Sequence, residues 1–133
     1  MIKKNKAFKF LLKPTKEQEV FFNKTFGCCR LVYNVMLGER INSYKEMGES
    51  ISREPAEIKQ EFPFLKEVDS LALANEWTNL NSAYNKFFKE KKAGFPKFKS
   101  KKNDRKSYTT FNQNGTVKLV DNHIKLPKIG LVR

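Results

Sequence analysis

The alternation of apolar and polar positions changes period three times along the chain. From Lys6 to Lys13, Phe8, Phe10 and Leu12 alternate with Lys9, Leu11 and Lys13. A period of two predicts a strand with one apolar face, and Pro14 stops it. Thr15 then reads as a helix N-cap, with Gln18 completing a capping box and Glu17 and Glu19 at the positive end of the helix dipole. Phe22, Phe26, Cys29, Tyr33 and Met36 follow in steps of 4, 3, 4 and 3, one face of a helix. Gly27 falls inside this run and is compatible with a kink, a turn between two helices, or a close approach by another backbone. A helix-turn-helix is conceivable here. One bent core helix is the preferred reading, because Leu31 to Leu37 is too apolar to lie in a groove.

Residues 38–63 are less periodic. The helix is expected to continue through Ile41 and Tyr44, and a short one to run from Ala56 to Glu61. Asp69 or Ser70 caps the next long helix. Leu73, Trp77, Leu80, Tyr84 and Phe87 share its apolar face, while Asn75, Asn79, Ser82, Asn85, Lys86 and Lys89 are assigned to the opposite, polar face. Lys91, Lys92, Ala93 and Gly94 form the expected stop. Beyond a basic stretch, Tyr108 to Gln113 predicts a strand and Asn114-Gly115 a hairpin turn. Val117 and Leu119 predict the next strand. His123, Ile124 and Leu126 predict another across a turn at Asp121-Asn122, and Leu131-Val132 opens a last one with an exposed edge. The fold class expected is α+β.

Charge adds direction to this pattern. The net charge is +13, from 27 basic and 14 acidic residues. Residues 1–38 carry 8 basic and 2 acidic side chains, residues 39–76 carry 5 and 9, and residues 77–133 carry 14 and 3. Two basic ends around an acidic middle predict that the ends share a surface facing a polyanion. The densest run lies between Gly94 and Thr110, where Lys97, Lys99, Lys101, Lys102, Arg105 and Lys106 are opposed only by Asp104. Neutralised phosphates release counterions, so such a run suits nucleic acid. Phe95, Phe98 and Tyr108 are placed either to stack on bases or to anchor the run to the fold. For a basic run taken alone, a solvated, charged connector is the preferred explanation.

Catalytic chemistry is not visible. His123 is the single histidine, and no Cys-x-x-Cys pair, carboxylate cluster, Gly-rich phosphate loop or nucleophile motif accompanies it. Neither metal nor cofactor is expected. Cys28 and Cys29 are adjacent, which suits buried small apolar residues in a reducing compartment better than a bridge. Without a long apolar run or a signal peptide, no membrane is expected and the compartment predicted is the cytoplasm.

Five stretches together resemble the N-terminal part of the insertion-sequence OrfB/TnpB proteins, transposon-encoded RNA-guided DNA nucleases related to type V CRISPR effectors. They are KAFKFLLKPTKEQEVFFNKTFGCCRLVYNVML, FLKEVDSLALANEWTNLNSAYNKFF, GFPKFKSKK, SYTT and IKLPKIG, in order and over nearly the whole chain. The resemblance implies a helical recognition lobe inserted into a split antiparallel β-barrel, the wedge-like domain, here incomplete. Residues 1–14 would be its first strand, 15–93 the lobe, and 94–133 the basic connector and a truncated meander. It implies guide RNA and target DNA as partners, with base pairing reading the target. Ser70, Ala74 and Asn75 would lie near the duplex motif beside the target; Ala74 has no donor or acceptor, which shifts reading towards Asn75. Lys97, Lys99, Lys101, Lys102, Arg105 and Lys106 would hold phosphates, with Tyr108, Thr109 and Thr110 on the adjoining strand.

The family's RuvC-like nuclease domain lies downstream of the region matched. The expectation is therefore a nucleic-acid-binding chain that does not cut by itself. The alternatives are the binding half of a split endonuclease whose partner polypeptide carries the nuclease domain, a stand-alone DNA-binding regulator, and a relic that folds poorly.

Overall fold

A computed structural model describes residues 7–90, 92, 94–101, 106–111 and 115–133. Helix α1 runs without interruption over Lys16–Met47. Thr15 caps it as expected: its hydroxyl accepts the Gln18 N–H at 3.2 Å, and the Gln18 carboxamide accepts the Thr15 N–H at 2.9 Å. Gly48 ends it in the left-handed region at φ 74°, its N–H donating to the Tyr44 carbonyl. Gly27 interrupts nothing; among the described residues, only the Arg30 guanidinium would lie within 4 Å of a Cβ placed there. Helix α2 covers Pro55–Glu61, followed by a 3₁₀ turn over Pro63–Glu67. Helix α3 spans Ser70–Lys89, with the Asp69 carboxylate accepting the Leu71 N–H at 3.0 Å. It ends at Lys89, before the expected Lys91–Gly94 stop, of which Lys91 and Ala93 lie outside the described residues.

The core forms where α1 crosses α3, with α2 and the 3₁₀ turn closing it. Val32, Met36, Leu37, Ile58, Leu65, Leu73 and Leu80 are fully buried there. Burial at about 25 cal/mol per Å² of apolar surface makes this seam the main source of stability. Because α3 packs on both α1 and α2, its buried arc is wider than a single stripe. That corrects the placement of Asn75 on the solvated face: it is buried, within 3.4 Å of the Asn79 carboxamide oxygen. The acidic middle is stitched back onto α1. Arg53 donates to Glu39 through its backbone N–H and guanidinium at 2.6–2.9 Å and reaches Glu61 at 2.5 Å. Arg40 donates to the Ser52 hydroxyl, and Ser43 to the Glu49 carbonyl.

The three C-terminal strands are β1, Lys118–Val120; β2, His123–Leu126; and β3, Gly130–Val132. They form an open antiparallel sheet in chain order, with Val120 opposite His123 and Leu126 opposite Gly130. The Asp121-Asn122 turn is present, with Asp121 at φ 51°. Among the described residues, two expected strands form no ladder. Residues 7–15 form no ladder; their tie to the sheet is the Lys13 N–H donating to the Arg133 carbonyl at 2.5 Å. Residues 107–111 form none either, because Tyr108 is drawn towards α1 instead; Asn112, Gln113 and Asn114 lie outside the described residues. The β3 edge is only partly as open as expected, with Leu131 exposed. Val132 is buried, and the Gln18 carboxamide donates to the Leu131 carbonyl at 2.6 Å. The β1 strand is exposed throughout.

Candidate nucleic-acid interface

One position beyond the apolar stripe of α1 runs a second stripe, Asn23, Gly27, Arg30, Asn34, Gly38 and Ile41, in steps of 4, 3, 4, 4 and 3. The described residues 95–101 and 106–108 lie along it, antiparallel to the helix. Phe95 meets the far end of α1 beside Arg40 and Ile41. The Phe98 ring lies over Gly38, where a Cβ would stand 3.7 Å from it. Lys99 is pinned to Asn34: its N–H donates to the Asn34 carboxamide oxygen and its carbonyl accepts from the carboxamide nitrogen, both at 2.8 Å. Lys101 and Lys106 converge with Asn23, Phe26 and Arg30 on a cavity of about 380 Å³. Tyr108 closes the run, its ring 6.2 Å from Phe22 and 5.8 Å from Phe26.

This arrangement sorts the residues expected to bind. The Lys99 ammonium is turned inward, 4.3 Å over the Tyr33 ring and 3.6 Å from the buried carboxylate of Glu76. Glu76 also accepts from Asn79. Removing a buried carboxylate from water is costly unless it is paired, so Lys99 serves the fold. Lys97, Lys101 and Lys106 are exposed. Tyr108 is half-buried, and burial, reinforced by Asp69 and Cys29, pushes its hydroxyl up to about 12. It is an anchor of the run, as is Phe95, whose ring meets Tyr84 and Phe87 edge-on at 5.4 and 5.3 Å. Thr109 is exposed and Thr110 half-buried. Ser70 is exposed at the start of α3, at the head of a stripe with Ala74, Thr78, Ser82, Asn85 and Lys89. Lys102 and Arg105 lie outside the described residues.

Arg30, Asn23 and Asn34 were not singled out from the sequence, and Glu76 was not expected to meet the basic run. The signal for the first three was available in the polar 4, 3 stripe beside the apolar one. Glu76 gave none, since a carboxylate flanking Trp77 on an amphipathic helix reads as solvated.

Three acidic residues of the middle are engaged away from the basic run, Glu39 and Glu61 by Arg53 and Glu67 by Lys24, whereas Glu76 meets it at Lys99. The two basic ends meet where Arg30 of α1 joins Lys101 and Lys106. No described helix is long and apolar enough to cross a membrane.

A family model described as a helix-turn-helix domain of the OrfB insertion-sequence type matches residues 1–49. Among curated proteins, the chain is 35% identical over 109 residues to a Streptomyces pristinaespiralis protein named "Putative RNA-guided DNA endonuclease", covering 77% of this chain and 27% of that one. It is 34% identical over 141 residues to InsQ of Escherichia coli K12, which carries the same description, covering 99% of this chain and 34% of InsQ. It is 33% identical over 112 residues to the virulence protein VsdF of Salmonella dublin, covering 72% of this chain and 93% of VsdF. The chain belongs to the transposon-encoded OrfB/TnpB family and corresponds to its N-terminal part. It spans about a third or less of the length of the two endonuclease relatives. The helix-turn-helix description does not match the geometry over residues 16–47, which form one continuous helix.

Proposed function

We propose that this chain is a nucleic-acid-binding portion of an OrfB/TnpB protein, contacting guide RNA and target DNA without cutting by itself. The observation that carries the reading is the convergence of Arg30, Lys101 and Lys106 on one cavity beside Asn23. Three cations and a carboxamide around an open cavity suit a phosphate backbone. Lys97, Lys102, Arg105 and Thr109 extend the same run. Ser70 and the exposed stripe of α3 form a second contact, facing the duplex motif, while Asn75 supports it from inside. Residues 1–14 and 94–133 act as parts of a wedge-like barrel, and 15–93 as its helical lobe. The bond from Lys13 to Arg133 supports this grouping, because it joins the first segment to the last strand. Cleavage would come from a RuvC-like domain, in the same protein or in a partner polypeptide.

The test is salt-dependent binding to RNA from the element's end, a scrambled RNA of equal length, and the element's DNA duplex. Replacing Arg30, Lys101 and Lys106 with Ala is expected to flatten the log–log salt slope by about 0.9 per duplex phosphate contact, or about 0.7 on single strands. An unchanged slope refutes the assignment. Preference for the element's RNA over the scrambled one supports guide binding. A second reading is a stand-alone regulator that occupies DNA without RNA; its support is one of length alone, since the match takes in 93% of VsdF. Selective duplex binding without RNA would establish it.

A further inference from the structure

At the far end of the same track lies a second cavity, of about 360 Å³. Its walls are rings. Tyr84, Phe87 and Phe88 come from α3, and Phe95 from the start of the basic run. Phe87 meets Phe88 and Phe95 edge-on, each at 5.3 Å, and Tyr84 stacks with Phe88 at 6.4 Å. These rings do not close over one another. Phe88 is 75% exposed and Phe95 41%. Cations stand at the cavity: Lys45 on α1 is exposed, and the buried Arg40 guanidinium lies 5.4 Å from the Tyr84 ring centre. The volume falls within the roughly 300–1,000 Å³ of small-ligand sites.

A plain apolar docking groove does not need cations at its wall and rim, whereas an unpaired base joined to a phosphate needs both rings and cations. We infer that this cavity receives an unpaired base of a single-stranded nucleic acid, whose phosphates then follow Lys97 and Lys101 towards Arg30. The track supplies continuity: Phe95 is at once a wall of the cavity and the first residue of the run pinned along α1. The two ends of that track, Ile41 and Asn23, are about 27 Å apart along the helix axis, enough for several nucleotides. The inference rests on the nucleic-acid reading above, and it adds a contact to the base itself.

The experiment compares binding of a thymidine homopolymer, a uridine homopolymer, and an abasic strand of the same length. All three carry the same phosphates, and the abasic strand has nothing to stack. Stacking on an aromatic platform predicts affinity roughly 5- to 150-fold above the abasic strand. Phe88→Ala is expected to remove most of that gain and leave abasic binding unchanged, and Phe88→Trp to restore it. Because Phe88 is exposed, its melting temperature should stay at the wild-type value. A gain with either homopolymer that Phe88→Ala removes supports the inference, and a gain that survives Phe88→Ala overturns it, because the base then stacks elsewhere. Equal, salt-dependent binding of all three strands overturns the cavity assignment alone. Absence of salt-dependent binding to any strand overturns it together with the wider reading.

Discussion

Asn34 holds the basic run to α1 by imitating one rung of a β-ladder with its side chain. Both of its bonds go to the backbone of Lys99, at 2.8 Å, in a half-buried setting. Asn34→Ala removes both. At about 0.5–1.5 kcal/mol per net hydrogen bond, the run should lose about 1–3 kcal/mol of its local stability. The run opens without unfolding the α1–α3 core, so the loss belongs to a local equilibrium. The assay is native-state hydrogen exchange at the Lys99 amide, expected to speed up by roughly 5- to 150-fold. Exchange at Met36 and Leu80, in the core, should stay slow. Asn34→Asp separates the two bonds: the Lys99 N–H keeps its acceptor, while its carbonyl then faces a second acceptor, so exchange should again exceed wild type. Unchanged exchange in Asn34→Ala would refute the reasoning and leave the Lys99–Glu76 ion pair as the fastener.

Two further outcomes follow from the core. Leu80 is fully buried at the α1–α3 seam, and Leu80→Ala should cost about 2–5 kcal/mol in urea unfolding; a loss below about 1 kcal/mol would mean the seam is not the core. Burial and the nearby Glu76 carboxylate raise the Cys29 thiol from 9.0 to about 12, and burial raises Tyr108 from 10.0 to about 12. The fold thus holds these protons where the unfolded chain releases them. Their contribution to stability is complete below about pH 9 and lost as pH rises through about 12, which pH-dependent urea melts would follow. Flat stability across that window would contradict the burial of both groups.

The helices were legible because their signals are local. Thr15 and Gln18 specify a capping box through two adjacent bonds, and the 4, 3 steps from Phe22 to Met36 and from Leu73 to Phe87 state which faces meet. The Asp121-Asn122 turn was legible for the same reason. The strands expected at 6–13 and 108–113 were not, since a period of two reports an apolar face but says nothing about a partner. Tyr108 found Phe22 and Phe26, and its segment left the sheet. Asn75 went wrong through geometry: a helix packed on two neighbours buries more than its apolar stripe. In the candidate interface, sequence located the basic run but could not separate Lys99 from Lys101. They differ only in what they meet at long range in the chain: Asn34, Tyr33 and Glu76 for one, and Arg30 for the other.

The continuous α1 also sets which length changes this region tolerates. One residue inserted between Asn23 and Ile41 would turn everything beyond it by about 100° and shift it by about 1.5 Å. Those of Asn34, Gly38 and Arg40 that lie beyond it would then point away from the run, unless the extra residue is taken up as a π-bulge at a cost in helix hydrogen bonds. The same insertion between Gly48 and Glu54 falls between helices, where it rotates no helix face and disturbs only the bonds that Glu49, Ser52 and Arg53 make to α1 and α2. Natural length variation among relatives should therefore gather after Met47 and be excluded from the thirty residues before it, whatever their individual side chains.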